Sequence, residues 1–316
     1  MGRAAYNHRV SERFATPING TTRFCAVFGH PVQHSASPAM QNAGLAALGL
    51  NWRYLACDVR PDDLRQAIAG AKAMRFIGLN LTVPHKVLAL DLVDNLHPSA
   101  KDYGAVNTIV FEGRDHAGAW RPLGQLGKET AEEVRSHGYN TDADAITRAV
   151  HEDLSMELCG AKVVLLGAGG AGRVAALKLA SEGVAELFLV NRTLQKAEAL
   201  AAEITARFPG LNATAGYPGH KVTLLINATS LGLKSDDPLP LDATRFSLAQ
   251  AESVYDMIYR PAETPLLKAA RGAGCRTANG SGMLLYQGVK ALELWCGQNP
   301  PIHLMRDALN ENIYGR

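Results

Sequence analysis

The chain of 316 residues contains no uninterrupted apolar run of the roughly 18 residues that a membrane-spanning helix requires. It has 5 cysteines, Cys25, Cys57, Cys159, Cys275 and Cys296, and none stands in C-x-x-C spacing. An odd, scattered set excludes a disulfide framework or a cysteine zinc site and predicts small reduced thiols, mostly buried. Aromatic residues make up only 6% of the chain, too few and too dispersed to form a base-stacking platform. Neither sign of charge dominates: 32 Lys and Arg stand against 30 Asp and Glu, a formal net charge of +2. That balance argues against a nucleic-acid coat or a polybasic membrane binder. His30, His34, His85 and His97 lack metal-ligand spacing, so no metal is expected. Residues 1–20 carry Arg3, Arg9 and Arg13 but no apolar stretch, and Tyr6 stands where N-myristoylation needs Ser or Thr. They read as a disordered tail rather than a targeting segment. The expectation is a cytoplasmic protein without metal, nucleic-acid or membrane partners.

What is present is ordinary globular composition, 47% hydrophobic and 20% charged, at a length that suits two α/β domains. Phe24–Phe28 reads as a buried strand. Ser37-Pro38 opens a helix, with Ser37 as its N-cap and Met40, Ala43, Leu45 and Leu48 as its apolar positions. Strands at 52–59, 76–82 and 105–111 alternate with helices at 61–73 and 85–92, so a mainly parallel sheet is expected. Residues 112–138 break this rhythm. A turn at 112–118 and a short exposed helix within 128–137 are expected there, the whole stretch reading as an inert surface excursion. Periodicity resumes with a helix over 142–154. A second α/β unit follows, with strands at 162–166, 187–190, 222–226, 254–258 and 275–278, and the last helix spans 282–296. The domain division is thus a tail at 1–20, a first domain at 21–141 completed by C-terminal helices within 280–316, and a second domain at 142–279.

Four apolar residues lead into Gly167-Ala168-Gly169-Gly170-Ala171-Gly172, a G-x-G-x-x-G placed after a strand and before a helix. Gly167 permits the tight turn, Gly169 lets a pyrophosphate approach the backbone, and Gly172 lets helix and strand pack closely. The free N–H groups of the helix start then face the phosphates. About twenty residues on, where an acidic side chain would hold the ribose 2′-hydroxyl of NAD, the chain has Asn191-Arg192-Thr193 with Lys196 following. Arg192 can grip a 2′-phosphate in bidentate fashion and Lys196 adds charge, so NADP is the expected cofactor. Asn227-Ala228-Thr229-Ser230 lies past another strand end, where open α/β sheets place ligands. Thr229 and Ser230 suit a nicotinamide ribose, and on physical grounds alone the segment serves equally as a polar turn.

The first half holds further polar clusters at strand ends: His34-Ser35-Ala36-Ser37-Pro38, Asn80-Leu81-Thr82-Val83-Pro84-His85-Lys86, Ala105-Val106-Asn107-Thr108 and Gly138-Tyr139-Asn140-Thr141-Asp142. Taken with the glycine turn, N-R-T, N-A-T-S, Y-D-M-I-Y and G-x-x-M-L-x-x-Q, their order resembles the shikimate dehydrogenase family from about Phe24 to Cys296. The resemblance implies an N-terminal α/β substrate domain, a Rossmann NADP-binding domain, and an active site in the cleft between them. It implies reduction of 3-dehydroshikimate to shikimate with NADPH, a step of aromatic amino-acid and chorismate biosynthesis. By motif match Ser35 and Ser37 would hold the substrate carboxylate with Tyr259 nearby. Asn80, Thr82, Asn107 and Gln287 would bond the ring hydroxyls, and Lys86 and Asp142 would be the catalytic pair. The helix carrying Gln287 would fold back onto the first domain, and Met257 and Gly280 would join the cofactor site. Such roles are chemically coherent, because hydride arrival at a ketone carbon leaves charge on oxygen. An ammonium can both stabilise that charge and protonate it.

The chain departs from the family in three places. The stretch from about Asp115 to His137 is longer than the usual hairpin, Ala143-Asp144-Ala145 replaces a glycine-bearing segment, and Lys196 stands where many NADP-preferring members have arginine. A quinate/shikimate dehydrogenase using NAD is the enzyme alternative, disfavoured by the missing acid after the second strand. A nucleotide-sensing regulator on the same fold is the other, disfavoured by the retention of Lys86 and Asp142. Monomer and homodimer both remain open.

Overall fold

A computed structural model describes residues 17–127 and 131–315, so most of the expected tail and three residues of the 128–137 segment lie outside the described residues. The chain divides into two compact units, one ending at Thr141 and resuming at Gly288, the other spanning Asp142–Gln287.

The first unit opens with strand β1 (Arg23–Gly29), helix Ser37–Ala47, β2 (Trp52–Asp58), helix Leu64–Ala73 and β3 (Gly78–Leu81). The short helix His85–Leu88, β4 (Asn95–Leu96) and helix Pro98–Tyr103 lead to β5 (Thr108–Arg114), β6 (Trp120–Pro122) and β7 (Val134–Tyr139). The sheet runs β2-β1-β3-β5-β7-β4, with β6 attached to β5. The β2-β1-β3 portion and the β4–β7 pair are parallel, whereas every neighbour of β5 is antiparallel to it. The chain leaves β1 for β2 on one side and returns to β3 on the other. The carboxyl ends of β1 and β3 therefore form a topological switch point, the place where such sheets bind ligands.

Three expectations change here. Residues 134–139 form a strand instead of a helix, because β7 pairs along β5 from Val134 opposite Gly113 to Tyr139 opposite Thr108. Ladder bonds and an alternating burial pattern override a weak helical propensity. Nor is the 115–137 stretch a surface excursion. β6 extends the sheet, and Leu123 and Leu126 are buried with Ile109 and Phe111 in the unit's core. The helix at 37 begins without a side-chain cap: Ala36 holds the cap position and Ser37 is already helical and buried.

The Gly288–Cys296 part of helix Ser281–Cys296 belongs to the first unit. Trp295 is fully buried there and its indole N–H donates to the Ile109 carbonyl at 3.0 Å. It reaches that carbonyl because Gly78 has no side chain to block it. Trp295→Ala is expected to destabilise the fold by about 3–5 kcal/mol, the scale of an aromatic cavity, with the Ile109 carbonyl also left without this donor. Urea unfolding followed by fluorescence checks this. A further helix, Ile302–Tyr314, follows the one expected to be last. Its Met305 lies against Gly44, together with Leu292.

The second unit begins with helix Asp142–Leu154 and β8 (Lys162–Leu166), then alternates helix Gly170–Ser181, β9 (Glu186–Val190), helix Leu194–Arg207 and β10 (Asn212–Ala215). β11 (Val222–Asn227), β12 (Ala251–Asp256), helix Pro265–Gly272 and β13 (Arg276–Asn279) complete it. The sheet order is β10-β9-β8-β11-β12-β13 and every pairing is parallel. Both faces are covered, so β8 and β11 read as near-continuous apolar runs. Among the described residues no helix is long and apolar enough to cross a membrane, and no cluster of potential metal ligands occurs.

Candidate active site

In the first unit the backbone gathers the expected substrate residues at the switch point. Ser35 and Ser37 follow β1, and the Ser37 N–H points at the Ser35 hydroxyl, 3.4 Å away. Asn80 lies in β3 and Thr82 just beyond it, where the Thr82 N–H donates to the Phe28 carbonyl of β1. Asn107 immediately precedes β5, which runs antiparallel to β3, so it arrives at the same end. The Leu81 N–H donates to the Asn107 carbonyl at 2.8 Å, and the Val106 N–H donates to the Lys86 carbonyl at 2.8 Å. Lys86 is half-buried in the short helix after Pro84.

That helix is anchored by its neighbour. His85 is wholly buried, and its Nε2–H donates to the Val59 carbonyl at 2.8 Å. Burial, ahead of the Val59 bond, pushes its pKa down, so the ring is neutral and its Nδ1 is a buried acceptor without a partner. His85 thus pins the Lys86 backbone to the loop after β2.

Beneath these residues runs a buried polar chain. The Tyr54 phenol donates to Asn80 Oδ1 at 2.7 Å, and Asn80 Nδ2 donates to Thr108 Oγ1 at 3.0 Å. Thr108 and Thr141 hydroxyls lie 3.2 Å apart. Asn107 holds Thr141 from both sides, donating to its hydroxyl at 2.9 Å and accepting from its N–H at 2.7 Å. Thr141 directly precedes Asp142 in sequence, so the start of helix Asp142–Leu154 is tethered to Asn107 through one peptide bond. Asp142 itself is buried. Thr108 and Thr141 stand in the polar clusters already noted, whereas Tyr54 was not expected in this network, since a hydroxyl inside a strand carries no local signature.

The second unit shapes a nucleotide cradle at its own switch point, between β8 and β11. Gly167 has φ +104°, a left-handed conformation that a side chain would strain. A side chain on Gly172 would overlap the Gly167 carbonyl, whereas positions above Gly169 and Gly170 are open. Close packing on one side and open backbone on the other is what a bound pyrophosphate requires. Exposed Ala171 sits in the first turn of the 12-residue helix Gly170–Ser181. The Ala168 N–H donates to Asn191 Oδ1 at 3.0 Å, tying the glycine turn to the end of β9. Arg192, Thr193 and Lys196 are exposed at that strand end, with no acidic residue among positions 191–196. These residues fit a dinucleotide carrying a 2′-phosphate.

The facing loops are built on two buried residues. Asn227 Oδ1 accepts from the Thr229 N–H at 3.0 Å and the Thr229 hydroxyl at 2.7 Å, while its Nδ2 donates to Asp256 Oδ1 at 3.0 Å. Asp256 Oδ2 accepts from Thr264 Oγ1 at 2.6 Å, and Asp256 Oδ1 also accepts from the Ile258 N–H. Burial pushes the Asp256 pKa up against those three donors. The Met257 N–H donates to the Asn227 carbonyl, and a side chain on Gly280 would overlap the Met257 carbonyl. Ser230 is exposed beside this frame, and Tyr259 is half-buried within the 257–264 segment. Gln287 is buried, and its Nε2 donates to the Leu284 carbonyl at 2.7 Å. Asp256 was visible in the Y-D-M-I-Y motif, but its part in shaping the Thr229 turn required the fold.

The doubly wound sheet and its glycine turn place the second unit among the dinucleotide-binding domains of dehydrogenases. Family models match at residues 27–109 (shikimate dehydrogenase substrate binding domain), 149–215 (shikimate / quinate 5-dehydrogenase) and 280–309 (shikimate 5′-dehydrogenase C-terminal domain). A shikimate dehydrogenase (NADP(+)) of Methanosarcina acetivorans is 43% identical over 299 residues, covering 92% of this chain and 99% of that protein. A shikimate dehydrogenase crystallised with NADP+ superposes with a TM-score of 0.79 at 34% identity, covering 94% of this chain and 98% of its own. The Thermus thermophilus enzyme in complex with NADP(H) and shikimate gives a TM-score of 0.75 at 35% identity, covering 92% and 99%. The chain belongs to the shikimate/quinate dehydrogenase family.

Proposed function

We propose that the protein is an NADP-dependent shikimate dehydrogenase, a cytoplasmic oxidoreductase of aromatic amino-acid biosynthesis that interconverts 3-dehydroshikimate and shikimate. The observation that carries this reading is the convergence of Ser35, Ser37, Asn80, Thr82, Lys86 and Asn107 at one switch point, in a chain whose relatives bear that name. The first unit is the substrate domain and the second the cofactor domain. Ser35 and Ser37, with Tyr259 nearby, take the substrate carboxylate, and Asn80, Thr82, Asn107 and Gln287 take the ring hydroxyls. Gly167 to Gly172 cradle the pyrophosphate, and Asn191, Arg192, Thr193 and Lys196 receive the phosphorylated ribose. Thr229, Ser230, Met257 and Gly280 line the nicotinamide end. NADPH supplies the hydride. Lys86 donates the proton to the oxygen as charge develops on it, and Asp142 completes the catalytic pair. The protein works as a monomer or homodimer on small molecules, without nucleic-acid or membrane partners.

The test is NADP-linked oxidation of shikimate against quinate by the purified protein, with NAD in parallel. Strong preference for shikimate and NADP supports the reading, and quinate oxidation with NAD overturns it. Replacing Ser35 and Ser37 together by Ala should raise KM for shikimate by about 100-fold or more, the scale of two lost charge-assisted hydrogen bonds, and lower kcat by less. Steady-state kinetics showing the reverse split would remove the serines from ground-state binding.

A further inference from the structure

Tyr54 belongs to none of the motifs above, yet it sits at the centre of the polar chain. It is 2% exposed in β2, and Asn42 of helix Ser37–Ala47 clamps its backbone. The Tyr54 N–H donates to Asn42 Oδ1 at 2.9 Å, and Asn42 Nδ2 donates to the Tyr54 carbonyl at 2.9 Å. The ring packs 6.1 Å, centroid to centroid, from Trp295. Burial pushes the phenol's pKa well up, so the hydroxyl keeps its proton and donates. It gives that proton to Asn80.

The bonds of Asn80 then fix what it can offer a ligand. Asn80 is 5% exposed. One amide hydrogen goes to Thr108 Oγ1 at 3.0 Å and the other toward the Asn107 carbonyl at 3.3 Å. Tyr54 occupies one lone pair of Oδ1. A side-chain amide has two donors and two acceptor sites, so a single acceptor site remains. Flipping the amide would set its oxygen against the Asn107 carbonyl, which can only accept, and would take Oδ1 away from the Tyr54 O–H, so the carbonyl and the phenol together hold the orientation.

We infer that Tyr54 is a positioning residue for substrate specificity: its hydroxyl holds Asn80 with one carbonyl lone pair turned to a ring hydroxyl. The inference rests on the shikimate reading given above. It makes Asn80 a reader of donors: a ligand with a ketone or ether oxygen at that place would bring a lone pair against a lone pair.

The experiment compares wild type, Tyr54→Phe, Asn80→Ala and the double variant. Wild-type turnover of shikimate is the control, and its absence would defeat the functional reading itself. Given that turnover, Tyr54→Phe should raise KM for shikimate about tenfold, the scale of one buried hydrogen bond. Per active site, kcat should stay within about twofold, and KM for NADP should not move, because the phenylalanine keeps the ring's packing. In the Asn80→Ala background the same change should add less than about twofold to KM, since the residue it orients is gone. A merely structural tyrosine would instead lower the thermal midpoint and the active fraction at unchanged KM, and that outcome would overturn the inference. So would equal effects of Tyr54→Phe in both backgrounds. A crystal structure of the wild-type shikimate complex gives an answer independent of any variant. A ring hydroxyl about 3 Å from Asn80 Oδ1, with the Tyr54 bond intact, is expected. A ligand oxygen seated on Nδ2 with Thr108 displaced would refute the assignment.

Discussion

Lys86→Ala is expected to reduce kcat for 3-dehydroshikimate reduction by roughly 100-fold or more, the scale of a lost general acid. KM for 3-dehydroshikimate and for NADPH should change little. The proposed work of Lys86 lies in the transition state, where charge gathers on the carbonyl oxygen, and an interaction made only there affects kcat and kcat/KM alike. The surrounding structure should survive the change. His85 holds the short helix through its own bond to Val59, and it is the Lys86 carbonyl, not its side chain, that accepts from Val106. The loss therefore reports chemistry rather than collapse. Steady-state kinetics, paired with NADPH binding by fluorescence, are the check. Near-normal kcat would remove Lys86 from the mechanism, and a lost cofactor affinity would point to a structural fault.

Removing the two cations after β9 is expected to abolish the preference for NADP. Arg192→Ala and Lys196→Ala should each weaken NADPH by about 10- to 100-fold in kcat/KM, the value of a charge-assisted contact to phosphate. NADH, which has no 2′-phosphate, should be nearly unaffected, so the ratio of the two kcat/KM values carries the effect. Arg192 should weigh more than Lys196, because a guanidinium meets phosphate with two parallel donors and an ammonium meets it as a point charge. Raising salt should erode the preference of the wild type as well, since both side chains are exposed. Equal losses for NADH and NADPH would show instead that these residues support the fold of the glycine turn.

The cofactor half was largely legible from the sequence. A strand, a glycine turn and a helix are consecutive, and the physical demands on Gly167 and Gly172 are local: a left-handed dihedral and a close backbone approach. Five of the six strands of the second unit follow for the same reason, because most are short apolar runs with punctuation on both sides, whereas β10, a half-exposed edge strand, carries no such run and was not expected. The 134–139 segment was misread, since Val134-Arg135-Ser136-His137 has no strong period of its own and becomes a strand only when β5 offers a ladder. The buried position of Leu123 and Leu126 was likewise hidden, because their cover includes residues distant in sequence.

The sequence by itself determined the class of chemistry, the identity of the cofactor's phosphate-binding turn, and the charged residues beside it. These depend on residue type and on spacings of a few positions. Tertiary structure decided which neutral side chains serve the site and in what orientation. Tyr54 reaches Asn80 across 26 positions and Asn107 reaches Thr141 across 34, so neither pairing exists until β2, β1, β3, β5 and β7 lie side by side. A hydroxyl or an amide has no preferred partner along the chain. Burial makes its hydrogen bonds obligatory, and only the packed sheet specifies which partner supplies them.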